Sequence, residues 1–502
     1  MNSSRSSILQ VMCILFLWAF LLTGCAVVPV PTRSDRIGQN GPLGSCANFF
    51  SLLDKKTEEA GALDAGVFRV KKYPYLRVNR FIASFSEEVD KQADFAEWAD
   101  RMQALDQEAR KYEIANLPDA AVAELDSANG RTGLFSEVAT CGNLLKASDF
   151  QNTEHQQELK RSVSVPDEYI PLRRVLGIYP LTSLFVSYGV SNWHAEVHKS
   201  FSFEPPVHWR SIRYVPVQKK DMASVRQIAA SKKRDALGIP VYSSEEREAL
   251  FGTYAPVWEI QLNGDYDRIG APAWTDKGVL DVNIDKPVTY TLLSFTRFGK
   301  EILTQLNYII WFPSRPKKGA LDIFGGVLDG LIYRVTLDDH GEPLLYETVH
   351  NCGCYYKAYP TNRLQVRGKV EYAEPPLILR APEMNPAKDV MIVAMESQTH
   401  YVQHLYPLSR ELRTATAGYS LLDYGQLRSL SYSKDDRRSM FNLYGLATGS
   451  DRLERFILWP TGVLSPGAMR QWGRHAVAFV GKRHFDDPFY MDKMFHEFDK
   501  AD

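Results

Sequence analysis

Between residues 288 and 349 long apolar runs alternate with short turn signals, and this pattern limits the fold more than any other stretch of the chain. Val288 to Phe298 and Glu301 to Phe312 flank Gly299-Lys300, and Leu331 to Leu337 and Pro343 to Val349 flank Asp339-His340-Gly341. Runs of this length around Gly-containing turns predict antiparallel hairpins. Further strands are predicted at 370–372, 377–380, 390–395, 455–459 and 476–480. Trp193, Ala195 and Val197 alternate with His194, Glu196 and His198, the period-2 pattern of a half-buried strand. Ser243 and Glu246 form a capping-box pattern before a short helix ending near Gly252. Gly325-Gly326 and Gly330 lack the spacing of a phosphate-binding loop and read as turns.

Upstream, from Cys46 to about Val165, the pattern is mainly helical. In the segment Phe85 to Ala115, Phe95, Trp98, Met102, Leu105 and Ala109 recur at spacings of three and four, so one face is apolar and the charged remainder reads as solvated. The fold class expected is α+β: a helical region over 45–165, then a predominantly antiparallel β-rich domain over 166–502. The chain is 45% hydrophobic and 24% charged, which allows a sizeable core. With 59 basic against 60 acidic side chains there is no basic excess to attract nucleic acid.

The first residues say where such a chain works. An apolar run from Ile8 to Leu22, preceded by Arg5, ends in Leu22-Thr23-Gly24-Cys25. It has the layout of a signal peptide and falls short of the ~20 residues a spanning helix needs, an uncleaved anchor helix being the competing reading. These four residues resemble the lipobox of bacterial lipoproteins. The resemblance implies a leader over 1–24, a lipid on the Cys25 thiol, and membrane attachment through that lipid. Ala26, where inner-membrane members of the family usually carry Asp, implies the outer membrane, with the domain facing the periplasm. Residues 25–44, rich in Pro, Gly and small polar side chains, read as a flexible tether.

In an oxidising periplasm the other mature cysteines become disulfide candidates, and Cys46 with Cys141 is the preferred pair because both lie in the helical region. The densest chemical cluster is His350-Asn351-Cys352-Gly353-Cys354. If the preceding strand continues, His350, Cys352 and Cys354 share a face, and His400 and His404, on one face if that segment is helical, would complete a donor set for Zn or Cu. The competing account is structural, with Cys352 or Cys354 bridged to Cys46 or Cys141, or to each other. His194-Ala195-Glu196-Val197-His198 departs from the His-Glu-x-x-His metalloprotease motif because Glu196 stands one place late. Residues 461–467 and 471–475 suit a ligand loop or ordinary turns, and His484, Asp486 and Asp487 suit a cation or a solvated cluster.

The function expected is therefore a binding or envelope-interaction module of unknown ligand, its partner an envelope protein or a small molecule. A metal-dependent enzyme, or a thiol-redox or copper-handling protein built on His350 to Cys354, is the alternative.

Overall fold

In the computed structural model the residues described are 36–125, 129–217, 222–231, 233–368, 372–411 and 417–497. Cys25, the leader, most of the tether and the strand expected at 370–372 lie outside them, Tyr372 apart. The backbone is organised around one sheet of eleven strands. In chain order these are β1 (Ser211–Pro216), β2 (Val257–Gln261), β3 (Val288–Phe298), β4 (Glu301–Arg315), β5 (Gly326–Leu337), β6 (Pro343–His350), β7 (Lys357–Pro360), β8 (Leu377–Ile378), β9 (Asp389–Met395), β10 (Val402–Ser409) and β11 (Ala417–Asp423). Their spatial order is β8-β7-β6-β5-β4-β3-β11-β1-β2-β9-β10.

Both expected hairpins form. Glu301 pairs with Phe298 across Gly299-Lys300, and β5 and β6 pair from Leu331↔His350 to Leu337↔Pro343. The sheet is mixed, however. The pairs β1-β2, β3-β4, β4-β5, β5-β6, β6-β7 and β9-β10 are antiparallel, whereas β7-β8, β2-β9, β1-β11 and β3-β11 are parallel. Parallel neighbours need long connections, which local turn signals cannot reveal.

Residues Ile302 to Phe312 of β4 are all buried. Because side chains alternate across a strand, Leu306, Tyr308, Ile310 and Phe312 enter one core while Leu303, Ile309 and Trp311 enter another. Gly330 lies inside β5 and is not a turn residue. A Cβ there would meet Asn351 Nδ2 at 2.2 Å and the Ile310 carbonyl oxygen at 2.5 Å.

The N-terminal region is built from α1 (Pro42–Glu59), α2 (Gln92–Ala115) and α3 (Gly130–Asp149), packed on a hairpin of Phe68–Val70 with Tyr73–Val78. Phe95, Trp98, Met102 and Ala109 of α2 are buried as their spacing predicts. The charged remainder of α2 is not wholly solvated: Asp106, Arg110 and Glu113 are buried too. Arg77 donates to Asp106 (3.0 Å) and twice to Glu113 (2.8 Å each), while Arg110 donates to Asp106 (2.8 Å) and Asp54 (3.0 Å). Burial works against the Glu113 carboxylate, yet Arg77 and Arg110 hold it down at about 2. Helical periodicity locates the face but not the partners that neutralise it.

Three other expectations change. Residues 193–198 lie in α4 (Tyr179–Ser200), a helix and not a strand. Trp193 and Val197 are four apart on its inner face and Ala195 is exposed, so a six-residue alternation mimicked period 2. Residues 455–458 form a one-turn helix, α6, after α5 (Ser244–Tyr254), whose capping box forms as expected. The 476–480 segment is irregular, with one bridge from Ala476 to His484.

Cys46 on α1 and Cys141 on α3 are bridged, with Cα atoms 5.1 Å apart and a sequence separation of 95. Replacing Cys141 by Ala should lower unfolding free energy by about 2–5 kcal/mol in denaturant titrations. An unchanged midpoint would contradict the bridge, as would two alkylatable thiols at 46 and 141 in the unreduced protein.

Candidate functional site

A cleft of about 510 Å³ opens where α4, the turn after β6, α6 and the 476–479 segment meet. Phe185, Val186, Val190 and Trp193 of α4 form one wall; Leu377 of β8 and Ile457 of α6 contribute to the others. The polar groups at its surface include His194, Cys354, Tyr355, Tyr401 and Glu454. Burial pushes the His194 imidazole down to about 4 and Tyr401 up to about 12. Glu454 is only 6% exposed, and burial raises its carboxyl to about 7 against the pull of Arg315 and Arg452. No described side chain or backbone N–H donates a hydrogen bond to that carboxyl. The cleft is therefore lined by apolar side chains, by polar groups that burial biases toward their uncharged forms, and by the buried ion pair of Arg483 with Glu374 (3.7 Å).

The turn that floors the cleft is made by Cys352-Gly353-Cys354. β6 ends at His350, and the chain then reverses: Gly353 N–H donates to His350 O (2.7 Å) and His350 N–H to Cys354 O (3.0 Å). Gly353 has φ +92°, and a Cβ there would strike the Ala476 carbonyl oxygen at 2.3 Å. The expected continuation of the strand is thus replaced by a turn. Within it the Cys354 backbone N–H donates to Cys352 Sγ (3.4 Å), and both cysteines are free thiols while Cys46 and Cys141 are bridged to each other. Cys352 and burial together push the Cys354 thiol well above its ordinary value, so it is held protonated.

Behind this floor lies a buried charge relay. His400 sits in the β9-β10 turn, not on a helix, stacked on Phe312 at 3.8 Å between ring centroids. Its Nδ1 lies 2.8 Å from Asp329 Oδ2 and its Nε2 3.5 Å from Asp267 Oδ1. His350 Nδ1 is 3.6 Å from the other oxygen of Asp329. Burial disfavours charge on both rings. For His400 the two carboxylates prevail and raise it, whereas His350 with one carboxylate is lowered. Tyr355 and Tyr401, with ring centroids 4.3 Å apart, separate His350 from the cleft, and Arg315 donates to Tyr401 at 3.4 Å.

The five residues expected to share a metal do not form one donor set. His350 and His400 converge on Asp329, and the two cysteines occupy the turn. His404 lies on β10, donates from Nδ1 to Glu204 O (2.8 Å) and packs on Trp209. Among the described residues no group of three or more His, Cys, Asp or Glu has the geometry to hold a metal ion. The other sequence candidates act as struts. Gln471 donates to Asp64 and Arg474 pairs with Glu168, while Asp486 pairs with Arg80, His484 with Asp167 and Asp487 with Lys493.

Glu454, Trp193 and Asp329 escape sequence reasoning. Glu454 precedes the segment Arg455 to Trp459 that reads as a strand, and Trp193 points into the cleft only because its segment is helical. Asp329 gains its role from chain segments 62 or more residues away in Asp267 and His400.

Two outcomes follow from these buried charges. The folded state holds the Glu454 proton more tightly than the unfolded chain, so its stabilising effect is present below pH ~4.5 and is lost as pH rises through about 7. Glu454→Gln should therefore stabilise the protein at pH 8 by about 1–3 kcal/mol and change little at pH 5. Equal melting shifts at both pH values would contradict this. His400→Ala should cost about 3–5 kcal/mol by leaving Asp267 and Asp329 uncompensated. His404→Ala, at a half-buried ring on another face, should cost less than 1 kcal/mol by the same scale. A similar loss in both variants would contradict the relay.

Comparison with known proteins found no matching family model, no matching curated protein and no matching solved structure.

Proposed function

We propose that this chain is a lipoprotein, acylated at Cys25 and held at the periplasmic side of the outer membrane, that binds an apolar or weakly polar ligand in the cleft beside α4. The cleft carries this reading. Its volume of about 510 Å³ lies within the range of small-molecule sites, and its walls combine aromatic and aliphatic side chains with a few convergent polar groups. The lining offers little compensation to a charged ligand, because burial favours the neutral forms of His194 and Glu454 and the Arg483 guanidinium is already paired with Glu374.

The anchor rests on Leu22-Thr23-Gly24-Cys25 alone. No helix among the described residues is long and apolar enough to cross a membrane. A lipid on Cys25 would give attachment without one.

Acid–base or thiol chemistry draws less support. The Cys354 thiol is held protonated and His350 is screened from the cleft by two tyrosines. Binding therefore takes precedence over turnover.

A photoreactive alkyl diazirine probe incubated with the full-length protein should label the peptide containing Val190 and Trp193. Val190→Trp, which fills the cleft, should reduce that labelling several-fold. Labelling scattered over the surface and indifferent to Val190→Trp would contradict ligand binding here. Radiolabelled palmitate should enter the wild type but not Cys25→Ala, and equal incorporation would contradict the anchor.

A further inference from the structure

From Val175 to Ala195 no Asp, Glu, Lys or Arg interrupts the sequence. The structure leaves the outer side of this stretch bare. On α4, Leu181, Leu184, Phe185 and Tyr188 are 60, 65, 82 and 71% exposed. Immediately before it, Val175, Leu176 and Ile178 are at least half exposed. Isolated apolar side chains on a surface are ordinary, but a contiguous set of this size marks a contact surface.

The patch is continuous with the cleft. Phe185 belongs to both, since it lines the cavity and is the most exposed large apolar side chain of α4. Across the opening, Ile457 also lines the cavity and is 58% exposed, with Phe456 exposed beside it. Phe324 completes the rim, on a loop whose Leu321 is almost fully exposed. The mouth of an apolar cavity thus opens in the middle of an apolar surface.

Several cations without a carboxylate partner border the patch, while the carboxylates nearby, Asp322 and Asp451, are engaged by backbone N–H groups and by Arg455. Arg173 donates to the Val463 carbonyl and Arg174 to the carbonyls of Thr461 and Gly481, so neither is neutralised by a carboxylate in these bonds. Lys317 and Lys318 are exposed beside Leu321 and make no ion pair with a described residue. Asp322 of that loop is occupied in accepting backbone N–H groups from Lys318, Phe324 and Gly325. An apolar face bordered by cations is the composition of a surface that lies in a bilayer interface, with side chains ~5–10 Å into the acyl boundary and cations at anionic headgroups.

We infer that α4, the residues before it and α6 dock on the surface of a lipid bilayer, so that the cleft opens onto the acyl region and its ligand is an acyl chain of a membrane lipid. This rests on the ligand-binding reading above and names the ligand class. Docking by a patch this small would be weak alone. A lipid on Cys25, eleven residues before Arg36, would hold Arg36 within ~40 Å of the bilayer and make docking of the same chain effectively intramolecular.

The test uses the full-length protein in vesicles of phosphatidylethanolamine and phosphatidylglycerol, with an environment-sensitive fluorophore on Leu184→Cys. A matching label on Lys434→Cys, an exposed site outside the patch, serves as reference, and unsubstituted protein gives the background from Cys352 and Cys354. Nitroxide lipids spin-labelled in the acyl chain should quench the label at 184 several-fold more than that at 434. Adding Leu181→Glu, on the exposed face of α4 and outside the cleft lining, should bring the two to equality while leaving diazirine labelling of the cleft intact. Equal quenching at 184 and 434 in the otherwise native chain would overturn docking, and retained cleft labelling would show that ligand binding survives it. A label at 184 that is shielded from water, unquenched by lipid and sensitive to protein density would mean that a second copy covers the patch, which also overturns docking.

Discussion

The structure depends on the double burial of β4. Eleven consecutive residues, Ile302 to Phe312, lose their solvent, and their alternation feeds two cores on opposite faces of the sheet. Each fully buried Leu, Ile or Phe contributes roughly 1.5–3 kcal/mol, so this strand fixes the register of β3 and β5 beside it. A slip by one residue would exchange the two cores: Tyr308, whose hydroxyl donates to the Phe251 carbonyl, would face the wrong side. Buried Gln305 and Asn307 reinforce the register through Ser294, Thr336 and the Leu292 carbonyl.

The cleft is a consequence of how that sheet is covered. β6 is paired until His350, where Gly353 turns the chain back and Tyr355 is carried beneath α4. Asp329 on β5 and His350 on β6 then meet His400 and Asp267 from loops, and this charged cluster ties the floor together. The wall above it has no such ties. α4 is held by Val197, Trp193 and the contacts of its first turn, among them Tyr179, and its outer face stays apolar and bare. A rigid polar floor below a loosely committed apolar wall suits uptake of an apolar ligand more than fixed-geometry chemistry.

What the sequence made legible follows from the range of the interaction involved. Gly299-Lys300 and the Ser243-Glu246 box are local, and both hairpin and helix cap form as read. The spacing of Cys46 and Cys141 within one helical region identified their bridge, because the two helices pack side by side. The parallel pairings of β11 with β1 and β3, by contrast, join Ala417 to Tyr214 and Ser420 to Val288, 203 and 132 residues apart, and no local pattern encodes them. At the site, the sequence singles out His350 and His400 as metal ligands and the structure sets both against Asp329, but the segments 193–198 and 455–459 read as strands. Short apolar runs fit either period, and both segments fold as helix. With those two helices goes the cleft itself, so neither Glu454 nor Trp193 was visible as a site residue.

The most direct test of the account is a crystal structure of the full-length protein extracted from membranes without exchange of its bound lipid. The account predicts continuous density for an acyl chain in the cleft, against Trp193, Val190 and Ile457, with its polar end at Glu454 or at the mouth by Phe185. A cleft closed by collapse of α4 onto Tyr355, or one filled by a charged polar ligand, would contradict it.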